Sequence, residues 1–308
     1  MSLVVVGSVA FDSVKSPFGE VEEALGGSAT YFSTSASYFT DVMLVAVIGE
    51  DFPEAELSDL RGRGIDLSGL TRRSGKTFRW KGEYGFDLNE AKTLDTQLNV
   101  FAAFDPNLPE AYREAEHLFL ANIDPELQIK VVEQVRSPKL VAMDTMNYWI
   151  HSKPDALREA ISRVDMLFVN DTEARELTGE ANIVQAADKI KEMGPDRVMI
   201  KRGEYGALFF DTEEVFFAPA YPLESVFDPT GAGDSFAGGF MGYLSRAGAI
   251  NRRVMNQATV VGSVMASYCV ERFSLERLRQ LGPRLIEKRY AQFQKLTEFE
   301  PLEQLDAV

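Results

Sequence analysis

Cysteine is almost absent from this chain. Cys269 is the only one in 308 residues, so no intrachain disulfide can form, and a reducing cytoplasm is the expected location. Histidine is nearly as scarce: His117 and His151 are the only two, and neither has neighbours spaced as a metal site or a triad requires. Basic residues are outnumbered, with 32 Lys and Arg against 47 Asp and Glu and a net charge of −15. That balance argues against nucleic acid or an anionic membrane as partner, because both need a basic face. No apolar run approaches the ~18 residues of a membrane span. The first strand-like run leads directly into Gly7 with no charged leader or cleavage site before it, so no targeting segment is expected. Internal repeats and low-complexity tracts are missing as well. What remains is ordinary globular composition, 45% hydrophobic and 26% charged, long enough for one large α/β domain with an appendage or for two domains.

The most informative stretch is Asp228-Pro229-Thr230-Gly231-Ala232-Gly233-Asp234-Ser235-Phe236, followed at once by a helical run to Leu244. Three small residues allow a tight turn whose N–H groups converge at a helix N-terminus, a place suited to an anion. A carboxylate at the lip of such a pocket repels an anion, so Asp234 makes chemical sense as a general base acting on an attacking hydroxyl. An N-capping Asp ahead of a buried helix explains the same residues. Local physics leaves the two readings open.

The thirteen positions Asp228 to Phe240, D-P-T-G-A-G-D-S-F-A-G-G-F, resemble the C-terminal signature of the ribokinase (PfkB) family of carbohydrate and nucleoside kinases. The resemblance implies an anion hole made by the amides of Gly231, Ala232 and Gly233, with Asp234 as base. It also implies a ribokinase-like three-layer α/β fold with a mostly parallel sheet and a small inserted β lid. Asp228 and Thr230 match positions near a monovalent-cation site, which makes K⁺ at Asp228 an expectation, with Thr230 on the nucleotide side.

Earlier in the chain, Leu3 to Val6 reads as a buried strand ending at Gly7. The glycines of a dinucleotide fingerprint do not follow it, which undercuts a nicotinamide-dependent oxidoreductase. Gly7-Ser8-Val9-Ala10-Phe11-Asp12 is instead similar to the family's opening, where the Asp accepts hydrogen bonds from two substrate hydroxyls; a turn-forming Asp is the alternative. Gly26-Gly27-Ser28 opens a helix and resembles the N-terminal family signature, which implies substrate contacts there. Tyr31 stands where many members carry a sugar-binding Asn, so it is expected to contact a different ring or to pack in the core. Asp51 is either near the substrate or a helix cap. Gly75-Lys76-Thr77 is not a phosphate loop, since Leu70 stands where the first Gly is required.

Residues 77–86 and 92–101 alternate with period two and, with a hairpin over 13–25, predict the small sheet. The expected division is a core of 1–13, 27–74 and 103–308 and a lid of 14–26 and 75–102. The stripe Phe78, Trp80, Tyr84 and Phe86 suits packing or a homodimer through the lid. Strands are expected near 117–121, 139–143, 166–170 and 197–201, alternating with helices, the pattern of a covered parallel sheet. Asp144 and Asn147 are candidate substrate neighbours at a strand's carboxyl end. Asn170-Asp171-Thr172-Glu173 resembles the family's N-x-x-E motif, implying Mg²⁺ held through water by Asn170 and Glu173; a capping box fits the same residues. Lys201, Gly203, Gly206 and, from a later helix, Asn256 are candidate ATP contacts. The function implied is ATP- and Mg²⁺-dependent phosphorylation of a primary hydroxyl on a sugar or polyol. A nucleoside kinase is the alternative, and a catalytically idle ligand sensor is the alternative of another class.

Overall fold

The computed structural model describes residues 2–300 apart from Glu90 and Glu213. The expected lid and tail therefore extend, at Glu90 and beyond residue 300, outside the described residues. In chain order the strands are β1 (Leu3–Val6), β2 (Ala10–Ser16), β3 (Gly19–Gly26), β4 (Val42–Ile48), β5 (Ile65–Arg72), β6 (Phe78–Tyr84), β7 (Ala91–Gln97), β8 (His117–Leu120), β9 (Leu140–Asp144), β10 (Met166–Asn170), β11 (Arg197–Lys201), β12 (Ala207–Phe210) and β13 (Val215–Ala218).

Nine of them form one sheet in the order β13-β12-β11-β10-β9-β8-β1-β4-β5. Every pairing from β5 to β11 is parallel, and β12 and β13 add an antiparallel edge. Parallel strands need crossovers, and these bring helices onto both faces; that is why the central strands are apolar throughout instead of alternating. Alternate residues of β1 divide between two cores: Leu3 and Val5 pack beneath the helices Ser28–Ala36, Ala232–Ala247 and Arg252–Cys269, while Val4 and Val6 face Pro154–Ile161, Asp171–Thr178 and Ile183–Glu192. Among the described residues, no helix is long and apolar enough to cross a membrane.

The other four strands form a separate sheet, β3-β2-β6-β7. Its first strand begins at Ala10, ahead of the boundary expected at residue 14, because pairing of Ala10 with both Gly26 and Phe78 draws Phe11 and Asp12 into the small sheet. Asp51 ties the two sheets together: it accepts from Thr77 N and Thr77 Oγ1, each at 2.7 Å, and pairs with Arg79 at 2.8 Å. It is not a cap, since the following helix (Glu54–Gly62) is preceded by Pro53.

The glycines after Asp234 are there for contact. A Cβ on Gly238 would stand 2.3 Å from Phe32 O, and one on Gly242 would stand 2.9 Å from Ala36 Cα. The helix Ala232–Ala247 thus lies backbone-to-backbone on Ser28–Ala36, and Ser35 Oγ donates to Ser235 O at 2.6 Å across the seam. Gly238→Ala should cost about 1–3 kcal/mol by overpacking, read as a lower Tm in a thermal melt. Gly62→Ala, where an added Cβ meets nothing within 4 Å, should leave Tm unchanged or slightly raised.

Candidate active site

The seam places two glycine loops side by side. Gly231 adopts the left-handed conformation (φ 75°) as the residue capping Ala232–Ala247, and a Cβ there would lie 2.3 Å from the Tyr31 ring. Ser235 N donates to Gly231 O at 2.8 Å, closing the first helical turn, and Ala232 N donates to Pro229 O at 3.1 Å. First-turn amides have no carbonyl of their own helix to bond. Of the three expected anion-hole amides, however, Ala232's already serves the turn. Tyr31 is 1% exposed and supports the loop from beneath. That placement corrects its expected role as a substrate contact: the space a ligand-facing ring needs is occupied by Gly231.

Around Asp234 the sheet's carboxyl edge gathers charge. Lys201, the last residue of β11, bonds Asp144 Oδ2 at 2.7 Å, and its ammonium lies 3.0 Å from where a Cβ on Gly233 would be. Asp144, the last residue of β9, also accepts from Thr145 N at 2.8 Å. It is thus the partner of Lys201, a pairing the sequence spacing does not reveal. Burial pushes the half-buried Asp234 up to about 7; the Asp144 charge adds to this and Lys201 opposes it. Burial likewise raises Glu173 to about 8, with Lys201 opposing and Asp144 adding. Lys201 itself is held above its ordinary value, since the pull of Asp144 and Glu173 outweighs its burial.

Asn170 and Glu173 form a full capping box: Asn170 Oδ1 accepts from Glu173 N and Glu173 Oε2 from Asn170 N, both at 2.7 Å. Among the described residues, no three His, Cys, Asp or Glu side chains converge to hold a metal unaided. The donor set still suits a hydrated magnesium ion, since the ligands are oxygens and the buried Glu173 carboxylate is short of positive charge.

On the acceptor side, Asp12 is 6% exposed and accepts from Gly27 N at 3.3 Å. Burial lifts it to about 7, the Gly27 bond opposes, and the charges of Asp228 and Asp234 add. Gly26 is glycine because a Cβ would sit 1.9 Å from Asp12 Oδ2, and Gly27 (φ 92°) because one would meet Ser8 O at 2.6 Å. Ser28 is engaged with Ser8 through a hydroxyl contact at 3.1 Å and a bond from Ser28 N to Ser8 Oγ at 3.0 Å. Asp228 is buried; its two oxygens accept from Thr230 N at 2.9 Å and Ser274 N at 3.0 Å, and burial still raises its pKa.

The aromatic stripe of the small sheet splits three ways. Phe86 is 92% exposed. Tyr84 reaches the core, where its hydroxyl accepts from Thr230 Oγ1 at 3.2 Å. Trp80 pairs in register with Asp12 and therefore shares its sheet face; its six-membered ring covers Gly82, where a Cβ would be 2.2 Å from it. Gly203 and Gly206 flank the short turn after β11: Gly206 packs on Ala218 O, and the space of a Gly203 Cβ is taken by Asn89 Oδ1 from the tip of the small sheet. Asn256 is half-buried on the helix Arg252–Cys269. Asp12 feels the charges of Asp228 and Asp234, and Lys201 those of Asp144, Glu173 and Asp234, so Asp234 stands between the two groups.

The family profile for pfkB family carbohydrate kinases matches residues 2–276. The cytidine kinase of Thermococcus kodakarensis is 35% identical over 255 residues, spanning 80% of this chain and 89% of its own. The nucleoside kinase of Methanothermobacter thermautotrophicus is 27% identical over 206 residues, 64% of each chain. Among solved structures, the Methanocaldococcus jannaschii nucleoside kinase superposes with a TM-score of 0.75 at 19% identity, covering 94% of this chain and 98% of its own. The Thermotoga maritima ribokinase gives 0.74 at 20% identity, covering 95% and 99%. At such identities the superpositions speak to the ribokinase-like fold alone. The profile, which spans nearly the whole sequence, speaks to descent, and the chain belongs to the pfkB family of carbohydrate kinases.

Proposed function

We propose that this kinase transfers the γ-phosphate of ATP to the primary hydroxyl of a nucleoside. The relatives favour this alternative over the sugar or polyol expected from the motifs. The observation that carries it is the shared sheet face of Asp12 and Trp80: a carboxylate for vicinal ribose hydroxyls stands beside an aromatic surface for a flat base.

In this reading Asp234 takes the proton of the attacking hydroxyl, and the amides of Gly231, at the cap, and Gly233, in the first turn, stabilise the charge developing on the transferred group. Lys201, held by Asp144 against Gly233, adds a fixed positive charge beside the same group. Asn170 and Glu173 would hold Mg²⁺ through water, and that ion would supply charge neutralisation on the phosphates. Gly203, Gly206 and Asn256 stand on the nucleotide side. Both oxygens of Asp228 already accept backbone N–H groups, and the proposed transfer does not depend on a cation there. The small sheet acts as the lid. An idle sensor would have no need of a half-buried carboxylate whose ionisation is held up to about pH 7.

Wild type beside Asp234→Asn, assayed on nucleosides, sugars and polyols, tests the proposal. The variant should lose roughly 10²-fold or more in kcat, and equal turnover would remove Asp234 as base. Folded Asp234 titrates near 7, above its ordinary 3.8, so it takes up a proton on folding and its stabilising effect fades as pH rises through that window. The inactive variant should therefore melt no lower than wild type at pH 8. Since the base must be ionised, kcat/KM should fall as pH drops below about 7. Lys201→Met should move that acid limb to higher pH, because Lys201 is what lowers the Asp234 pKa.

The chain has two Trp residues. In a Trp149→Phe background, cytidine should quench the remaining Trp80 fluorescence and ribose should not. Quenching by neither ligand, with turnover of sugars alone, would return the assignment to a carbohydrate substrate.

A further inference from the structure

One contact between the small sheet and the core falls directly on the catalytic loop. Ser16 Oγ donates to Phe227 O at 2.7 Å, but this holds the chain ahead of the loop. Thr230 immediately precedes Gly231, and its backbone is fixed by the core: its N–H bonds Asp228, and its carbonyl accepts from Cys269 Sγ at 3.5 Å. Its side chain alone looks the other way, donating to Tyr84 Oη at 3.2 Å. Tyr84 closes β6, at the point where the strand leaves for the tip that places Asn89 against Gly203. The end of β6 therefore touches both the loop over the acceptor and the turn on the nucleotide side. Burial pushes the Tyr84 hydroxyl well above its ordinary pKa; the bond from Thr230 opposes this, and the charges of Asp228 and Asp12 add to it.

We infer that Tyr84 is a positioning residue: through its hydrogen bond to Thr230, the closed small sheet sets the orientation of the Gly231–Gly233 amides. Opening the sheet breaks that bond and leaves the loop without its outer support. The amides are then aligned only while a substrate holds the sheet shut, and phosphate is not lost to water. This inference rests on the anion-hole reading above.

Tyr84→Phe keeps the ring and removes only the hydroxyl. It should lower kcat by about 3- to 10-fold, the effect of one hydrogen bond, with the nucleoside KM changed less than that and Tm unmoved. Thr230→Val should give a similar loss, Thr230→Ser should recover most of it, and the double variant Tyr84→Phe/Thr230→Val should be no slower than the worse single variant. A Tyr84→Phe enzyme with wild-type kcat, or losses that multiply in the double variant, overturns the inference. Asp234→Asn separates the two levels. If it is inactive while Tyr84→Phe is silent, only the positioning role fails; if Asp234→Asn turns over normally, Asp234 is not the base and the proposed use of this loop fails with it.

Discussion

The backbone contact between two helices sets the rest of this structure. Ser28–Ala36 and Ala232–Ala247 approach so closely that Gly238 and Gly242 have no room for a methyl group, and Gly231 rests on the Tyr31 ring. Interiors pack at crystal-like density, so a contact of this kind fixes position to a fraction of an ångström. Both helices begin at glycine loops. Locking their bodies together therefore locks Gly26–Ser28 beside Gly231–Gly233, and with them the carboxylates Asp12 and Asp234. The glycines of the signature are in this sense a packing device first, and they deliver the loop geometry as a consequence.

That geometry concentrates charge where charge is costly. Asp12, Asp144, Glu173 and Asp228 are buried and Asp234 half-buried, and Lys201 is the cation at the centre of three of them. Burial dominates, which is why Asp12 and Asp234 titrate near 7 rather than near 4. A base poised close to neutrality is what proton transfer favours, and the same poise withholds stability at neutral pH. The Lys201–Asp144 pair moderates the conflict by adding one fixed positive charge beside Gly233.

The small sheet completes the arrangement from outside. Asp51, Thr77 and Arg79 attach it to the core, and Arg79 lies 5.3 Å above the Phe11 ring while also pairing with Glu23 at 2.7 Å. On its inner face Asp12, Trp80 and Tyr84 follow from strand register alone, since a one-residue slip of β6 would turn Trp80 and Tyr84 to solvent. The proposed substrate contacts of Asp12 and Trp80 and the bond of Tyr84 to Thr230 thus belong to one sheet.

Much of this was legible in the sequence. The parallel core follows from short apolar runs alternating with amphipathic ones, and the observed β8 to β11 lie within a residue of where those runs predict them. The catalytic loop is local chemistry, three small residues between Thr and Asp at a helix start, and its neighbours in the chain are its neighbours in space. What the sequence could not reveal are relations between distant segments. Lys201 and Asp144 are 57 positions apart, Tyr84 and Thr230 146 apart, and nothing in either local pattern names the partner. Tyr31 is the sharpest case: its place in a helix opening resembles that of a substrate ligand, yet the ring lies under Gly231 because another helix packs over it. Asn170 and Glu173 read as metal ligands by resemblance and as a capping box by chemistry, two roles that can hold at once, and the cap forms because its bonds span only three residues. Periodicity and turn chemistry act over a few residues and are written in the chain. Which side chains meet across the cleft depends on how helices and sheets pack, and only the tertiary structure decides it.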